Sequence, residues 1–454
     1  MNVIENYVKF LADLVWGDWL LFTLIGVGLY FTIITRGIQI RKFRFAINES
    51  LIKPFKKDNK INGVGTLTPF QSFTTALASC VGNGNIVGVA TALVYGGPGA
   101  LFWMWVAAFV GMATKYAEIL LGMVYRVKGD DGIYVGGPMY YIEKGLKIKW
   151  LAKVFSVLLI IQICGGNLIQ SNAVAGVFED IFHLPKISAA FFLSFAVGLV
   201  IIGGIKKLGA FAEKLVPFMS ILYIIGGLIV ILINISIIPQ TIILIFKSAF
   251  SVKAGVAGAI GYTIKQALRY GVTRGLYSNE AGEGSAPVLH SSAITDHPVR
   301  QALFGITEVF IDTGIICTIT GFTVLTSGIS LLDSPPGTLT SLAFSTVHPF
   351  MQYFVGIAMI LFAFTSIPAQ WYFGQVGLTH LVGANKTQWF KYFFVCFTFF
   401  GSLISFKLVW YLQDFILGIL IIPNLIAILL LSKVVTEYTN DFFKPEIERK
   451  YNFK

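Results

Sequence analysis

Two neighbouring hydroxyls, Thr365 and Ser366, stand inside the apolar run "LFAFTSIPAQW", residues 361–371. Hard cations prefer oxygen ligands, and Pro368 frees carbonyls in the turn that precedes it. A second source of free backbone groups is "ASCVGNGNIVGVA", residues 78–90, with three glycines and two asparagines between Gly82 and Gly88. A helix broken there ends on the carbonyls of the turn closing at Val81 and restarts on the amides of Gly82, Asn83 and Gly84. Free amides at the positive end of a helix suit a carboxylate. Free carbonyls suit a small cation. Set side by side, the two poles fit an amino acid and a sodium ion. Carbonyls of Ala78, Val81 and Phe362, with the hydroxyls of Thr365 and Ser366, make an all-oxygen sodium site. Two plainer readings compete: Gly84 and Gly88 as a GxxxG packing face, and hydroxyls bonded back to their own helix.

Other polar groups reach the same depth. "QICGGNLIQ", residues 162–170, offers Gly165 and Gly166 for close approach, and Gln162 and Gln170, which are costly in lipid. "AGVAGAIGYTIKQALRYGVTRG", residues 254–275, carries five glycines. Counting about 13 residues at 1.5 Å each from residue 253 puts Tyr262, Thr263 and Gln266 near the midplane. Charges also fall within apolar runs. Lys115 and Glu118 are spaced to pair on one helix face, and Glu308 and Asp312 share another. Arg269, Arg274, Glu280 and Glu283 follow closely in "RYGVTRGLYSNEAGEG". Buried charges face protein or water. Lys115, Glu118, Arg274, Glu280 and Asp312 are therefore candidates for a cytoplasmic gate, with static ion pairing as the alternative. No nucleophile–base pair or cysteine–histidine metal spacing is present, which argues against an enzyme and against any organic cofactor. The four cysteines read as small buried hydrophobes.

These groups need elements that hold them in a bilayer. Of 454 residues, 56% are hydrophobic and 13% charged, about half the usual charged fraction of a soluble domain. Runs long enough to cross hydrocarbon lie near 15–36, 67–94, 97–125, 152–178, 187–204, 211–236, 253–285, 301–328, 349–382, 389–407 and 408–432, about eleven by length. The start, "MNVIENYVKFLADLVWGD", lacks a basic leader, so the first span is expected to be its own insertion signal. About 25 of the 34 Lys and Arg residues fall in loops on one side, among them 36–60, 126–153, 205–214 and the tail from Lys433. That side is cytoplasmic, with the N-terminus outside and the C-terminus inside. The net charge of +11 is scattered through these loops, which suits a lipid bilayer and not a nucleic acid. Eleven divides as one plus five plus five. The second and seventh spans enter from opposite sides, and each glycine-rich span opens a set of five, as in an inverted-repeat transporter.

"GNGNIVGVATALVYGGPGALFWMW" (82–105), "GMATKYAE" (111–118), "VGGPMYYIEKGL" (135–146) and "SNEAGEGSAP" (278–287) resemble the alanine/glycine:cation symporter family, the sodium:alanine symporters. The resemblance runs over roughly 15–440; the family's usual threonine is replaced here by Asn83. It implies an all-α polytopic membrane protein with a leucine-transporter-like core whose first and sixth helices are unwound. It implies import of alanine or glycine, D-alanine included, coupled to sodium or sometimes protons. Carried over by motif, sodium takes Ala78, Val81, Phe362, Thr365 and Ser366. The substrate takes Ser79, Gly82, Asn83 and Gly84, with Gly165, Gly166, Gln170, Tyr262, Gln266, Ile367 and Trp371 as the further pocket. The implied domains are an N-terminal helix and basic loop (1–62), two five-helix repeats (63–238 and 239–432) and a cytoplasmic tail (433–454) in a multi-pass cell inner-membrane protein. A proton-coupled carrier of another small solute is the nearest alternative. An ion channel would need a filter motif that is not seen.

Overall fold

Within hydrocarbon a chain can bond only to itself, so apolar runs of this length become helices. The computed structural model describes residues 2–56, 63–129, 131–251, 263–404, 406–445 and 451. In chain order the main helices are α1 (Asn2–Val15), α2 (Asp18–Ile34), α3 (Pro69–Cys80), α4 (Gly84–Gly96), α5 (Gly99–Val124) and α6 (Lys149–Asp180). They continue with α7 (Lys186–Ile201), α8 (Gly204–Ile233), α9 (Ile238–Ala249), α10 (Ile264–Asn279) and α11 (Pro298–Thr326). The last are α12 (Pro336–Ser345), α13 (Met351–Val382), α14 (Phe390–Gly401), α15 (Phe406–Leu430) and α16 (Ser432–Phe442). Among the described residues, α5, α6, α8, α11, α13 and the Val409–Leu430 part of α15 are each long and apolar enough to span a membrane. Two bent pairs, α1 with α2 (41°) and α3 with α4 (46°), raise the number to as many as eight. Helices α7, α9 and α14 are apolar but shorter.

The core is built on long helix pairs: α6 lies along α13, and α5 lies along both α10 and α11. Three helices occupy stretches outside the spans placed above. Helix α1 packs on α15, and Trp16 Nε1 donates to Asp414 O at 2.7 Å. Helix α9 docks on α5, where Trp103 Nε1 donates to Ala249 O at 3.1 Å. Helix α12 covers the start of α4, with Thr340 Oγ1 donating to Ile86 O at 3.3 Å. Each is shorter than a span, which is why a length criterion passes over it.

The two glycine-rich spans break differently. Helix α3 ends at Cys80, Val81 leaves the helical region (φ −76, ψ 89), and α4 restarts through a wide π-type turn at Gly84–Gly88. Residues 253–262 of the second span, with Gly255, Gly258 and Gly261, lie outside the described residues. Helix α10 runs unbroken from Ile264 to Asn279, and the chain then unwinds. Glu280 (φ +56), Gly282 (φ +99) and Gly284 (φ +83) are left-handed, a region that glycine enters freely. Helix resumes at Ala286–His290. Gly271 and Gly275 are packing glycines on the α5 face. A methyl at Gly271 would stand 2.5 Å from Ala100 O, whereas at Gly275 the nearest atom is Met104 Cα at 3.5 Å. Gly271→Ala is therefore expected to destabilise the protein by about 1–3 kcal/mol through overpacking. Gly275→Ala should be near neutral. Melting temperatures of the two purified variants check the contrast; equal values would show that the α5–α10 seam can relax.

At one end of the molecule the chain segments are stitched together. Thr66 N donates to Ser292 O (2.7 Å) and Ile294 N to Leu67 O (2.8 Å). Arg126 donates to Val64 O (2.8 Å), Ser291 O (3.1 Å) and Ala293 O (2.7 Å). Burial pulls the Arg126 guanidinium down to about 10, still charged at neutral pH. The other end is open. One cavity of about 470 Å³ is lined by Tyr95, Asn172, Asp180, Pro336 and Ser341. A second, of about 180 Å³, is lined by Asp13, Arg269, Arg274, Trp410 and Asp414.

Candidate functional site

Helix α3 stops because Val81 turns away, and side chains take over the backbone groups the break releases. Asn85 Oδ1 accepts the Gly82 N–H at 2.9 Å, and Gln170 Oε1, from α6, accepts the Asn83 N–H at 3.1 Å. The Asn83 side chain is fully buried, and neither its Oδ1 nor its Nδ2 has a partner. A buried carboxamide left bare costs about 1–3 kcal/mol per group, so a native site supplies something to it. Gly82 fills the gap between two helices: a methyl there would lie 2.6 Å from Gln170 Nε2 and 2.7 Å from Ser366 Oγ.

Four of the five oxygen donors named for sodium share one neighbourhood. Ser366 Oγ lies 3.4 Å from Val81 O and 2.8 Å from Phe362 O. Thr365 Oγ1 lies 3.0 Å from Phe362 O and 3.2 Å from Leu361 O. Ala78 is one turn earlier on α3, and all five residues are fully buried. Helix α13 passes through Pro368 without stopping. Both hydroxyls bond back to their own helix; Ser366 also reaches Val81 O at the α3 break, while Thr365 Oγ1 lies 3.4 Å from Met219 Sδ on α8.

Further side chains pack close to the break and to the glycines of α6. The ring edge of Tyr277 faces Gly84, and Tyr277 packs on Trp410 at 5.2 Å. A methyl at Gly165 would sit 2.1 Å from Gln413 Oε1, and one at Gly166 would sit 2.8 Å from Gln370 Nε2. Ile367 and Trp371 are buried on the same stretch of α13. Tyr277 Oη, Gln370 Oε1, Trp371 Nε1 and both amide atoms of Gln413 are buried without partners. Gln370, Gln413 and Tyr277 were absent from the candidates read from sequence. A glutamine beside an aspartate within the apolar run "WYLQDFILG" was the available signal for Gln413.

Two pocket candidates point away from the α3 break, and a third lies outside the described residues. Gln266 is exposed and forms a capping box with Thr263, its Oε1 3.0 Å from Thr263 N. The depth count began at residue 253, and 252–262 lie outside the described residues. Tyr262 lies outside the described residues. Ser79 turns to the second break, its Oγ 3.2 Å from Glu280 Oε2.

The buried charges sit at the breaks and not at one end. Lys115 does not pair with Glu118. Its Nζ reaches Asn279 O (2.6 Å), Glu308 Oε1 (2.7 Å) and Cys80 Sγ (3.2 Å), tying the last turn of α3 to the last turn of α10. Glu308 also meets His290 Nε2 at 2.9 Å. Cys80 therefore belongs to a polar cluster and is not a plain hydrophobe. Glu118 accepts the Gly282 N–H at 3.3 Å and bonds Asn424. Asp312, in the π-type stretch Phe310–Cys317, takes Asn85 Nδ2 at 2.6 Å. Arg274 grips Asp414 with both terminal nitrogens, at 2.7 and 2.8 Å, beside α1 and the open cavity. That pair lines the open cavity, away from the stitched segments.

The fold resembles that of a manganese transporter from Eremococcus coleocola, with TM-score 0.57 at 15% identity over 88% of this chain and 86% of that one. It is a leucine-transporter-type fold. The chain is 41% identical over 446 residues to an uncharacterized transporter of Haemophilus influenzae, covering 97% of this chain and 96% of the relative. It is 39% identical over 446 residues to the sodium/alanine symporter AgcS of Methanococcus maripaludis, covering 96% and 97%. It is 35% identical over 449 residues to the probable sodium/glutamine symporter GlnT of Bacillus subtilis, covering 97% and 91%. The family model for sodium:alanine symporters matches residues 1–453, and with apolar helices of spanning length the protein is a multi-pass membrane transporter. A chain matched from end to end by that model, with a broken helix facing paired hydroxyls, belongs to the sodium:alanine symporter family.

Proposed function

We propose that this protein imports a small neutral amino acid, alanine or glycine in either hand where one exists, together with sodium by alternating access. The observation that carries the reading is the α3 break. Its carbonyl end faces Ser366, the neighbour of Thr365, and its amide end is buried beside an unpartnered Asn83. Sodium sits among Ala78, Val81, Phe362, Thr365 and Ser366. The substrate carboxylate meets Gly82, Asn83 and Gly84, and its body lies among Gly165, Gly166, Gln170, Ile367 and Trp371. The cation joins α3 to α13 and completes the substrate pole, so each ligand strengthens the other.

The core is an extra helix, α2, followed by two five-helix repeats over 63–238 and 239–432. Each repeat is led by a broken span, the first α3 with α4, the second α10 with the turn after it. The N-terminus is outside and the tail from residue 433 is cytoplasmic, in the cell inner membrane. On that orientation the stitched end at 64–67 and 292–295 is the cytoplasmic face, and the two cavities open outward. Lys115, Glu118, Glu280 and Asp312 form the hinge between the breaks, and Arg274 closes the outer mouth with Asp414.

Radiolabelled alanine uptake into proteoliposomes tests the reading: it should require an inward sodium gradient. Uptake driven equally by a proton gradient alone would reject sodium coupling. Thr365→Ala and Ser366→Ala should each weaken sodium activation by about 1–3 kcal/mol, roughly 5- to 150-fold in the half-saturating concentration. Unchanged sodium activation in both variants would remove the assigned cation site.

A further inference from the structure

Asp312 is a fully buried carboxylate that the scheme above leaves without a ligand role. Its oxygens receive only neutral donors: Asn85 Nδ2 at 2.6 Å, Ser278 Oγ at 2.9 and 3.0 Å, and Thr313 Oγ1 at 2.7 Å. Titratable groups on the surrounding elements have other partners. Lys115 on α5 spends its three N–H groups on Asn279 O, Glu308 and Cys80. Glu308, one turn back on α11, is held by Lys115 and His290. Glu280, beyond α10, takes Ser79 and Ser285. Tyr223 on α8 pairs with Thr320, and Arg274 on α10 pairs with Asp414. Cys317 on α11 shares Ser278 and Asn85 with Asp312, Cys80 from α3 faces Lys115 and Glu308, and Tyr277 on α10 packs on Trp410.

One carboxamide separates this charge from the substrate pole. Asn85 gives its Nδ2 to Asp312 and its Oδ1 to the Gly82 N–H. While Asp312 is ionised, Asn85 is held in that orientation and Gly82 is blocked. A protonated Asp312 can donate an O–H to Asn85 Oδ1. Turning to accept it, Asn85 releases the Gly82 N–H and presents its Nδ2 to an arriving carboxylate. The hydroxyls of Ser278 and Thr313 serve both states, since a hydroxyl can donate or accept. We propose that Asp312 takes up a proton from solution when a substrate carboxylate displaces Asn85 from Gly82, so that substrate binding and protonation are linked. The inference rests on the amino-acid reading of the site. It adds a second cation, bound as a proton and distinct from the sodium at Thr365 and Ser366.

Titration calorimetry of purified protein with L-alanine, in saturating sodium and in two buffers of different ionisation enthalpy, reads proton uptake directly. The expected result is a buffer-dependent heat, approaching one proton per alanine above the titration range of Asp312. In Asp312→Asn that dependence should disappear while alanine heat persists. Asp312→Glu, which keeps an acid in place, should retain it with a shifted pH midpoint and guards against loss of the Asn variant to misfolding. Alanine heat that is identical in both buffers between pH 5 and 9, or buffer dependence that survives Asp312→Asn, overturns the proposal and leaves the amino-acid reading standing. Absence of any alanine heat in the wild-type protein overturns the amino-acid reading, and the linkage with it.

Discussion

Gly82→Ala is expected to lower alanine uptake at least ~100-fold in protein that still folds, since a misplacement of about 1 Å at a reacting or binding centre costs that much. The added methyl meets Gln170 Nε2 at 2.6 Å on one side and Ser366 Oγ at 2.7 Å on the other. Either shift damages one pole. Moving Gln170 releases the Asn83 N–H, and moving Ser366 takes a hydroxyl from Val81 O. Both obstructing atoms are ends of side chains, so the fold accommodates them for about 1–3 kcal/mol. Gly88→Ala is the comparison, because a methyl there has Tyr277 Cδ1 as its nearest neighbour, at 4.0 Å. Initial uptake rates and melting temperatures of both variants decide the matter. Normal transport by Gly82→Ala would mean the break is not where substrate and cation meet. A loss in Gly88→Ala equal to that in Gly82→Ala would favour a packing role for the whole glycine run.

The second large effect is on stability. Lys115→Met leaves Glu308 buried and short of its compensating charge, an arrangement that costs about 3–5 kcal/mol. The ammonium also holds Asn279 O at 2.6 Å, so the last turn of α10 loses the cation at its negative end. Little folded protein should survive extraction, as read by size-exclusion profile and thermal midpoint. Adding Glu308→Gln removes the stranded charge and should recover much of the stability, because a buried pair replaced as a pair is close to neutral. Transport should not return in the double variant. The tie from Cys80 through Lys115 to Asn279 is what keeps the two breaks in register, and methionine cannot make it. A double variant no more stable than Lys115→Met alone would show that the ammonium acts through the backbone carbonyl and not through Glu308.

Some of this could be read along the chain, and particular residues show why. The break at Gly82–Gly84 was legible because glycine and asparagine clusters in an apolar run have few other uses at that depth. Thr365, Ser366 and Pro368 were legible as a local triplet. Gln170 could be named because an amide in a helix otherwise facing apolar surroundings is expensive. The unwinding after Asn279 was not named by the same method. Among the described glycines of 253–285, Gly271 and Gly275 pack on α5, while Gly282 and Gly284 carry the left-handed backbone. Glycine frequency reports helix packing as readily as unwinding, and only the neighbouring helix tells them apart. Lys115 and Glu118 had the right spacing to pair, but their partners come from α11, the second break and α15.

The sequence by itself determined the solvent, the break between α3 and α4 and the oxygen-rich pair on α13, because hydrophobic run length and helix-breaking residues act locally. Tertiary structure alone decided the partners of the buried charges, the placing of Gln370, Gln413 and Tyr277 near the break, and which end of the molecule is stitched and which is open. Those depend on which helix faces which, and a contact such as Arg274 with Asp414 joins residues separated by 140 positions. In a low-dielectric interior, the identity of a charge's partner decides its role, and no local pattern encodes that choice.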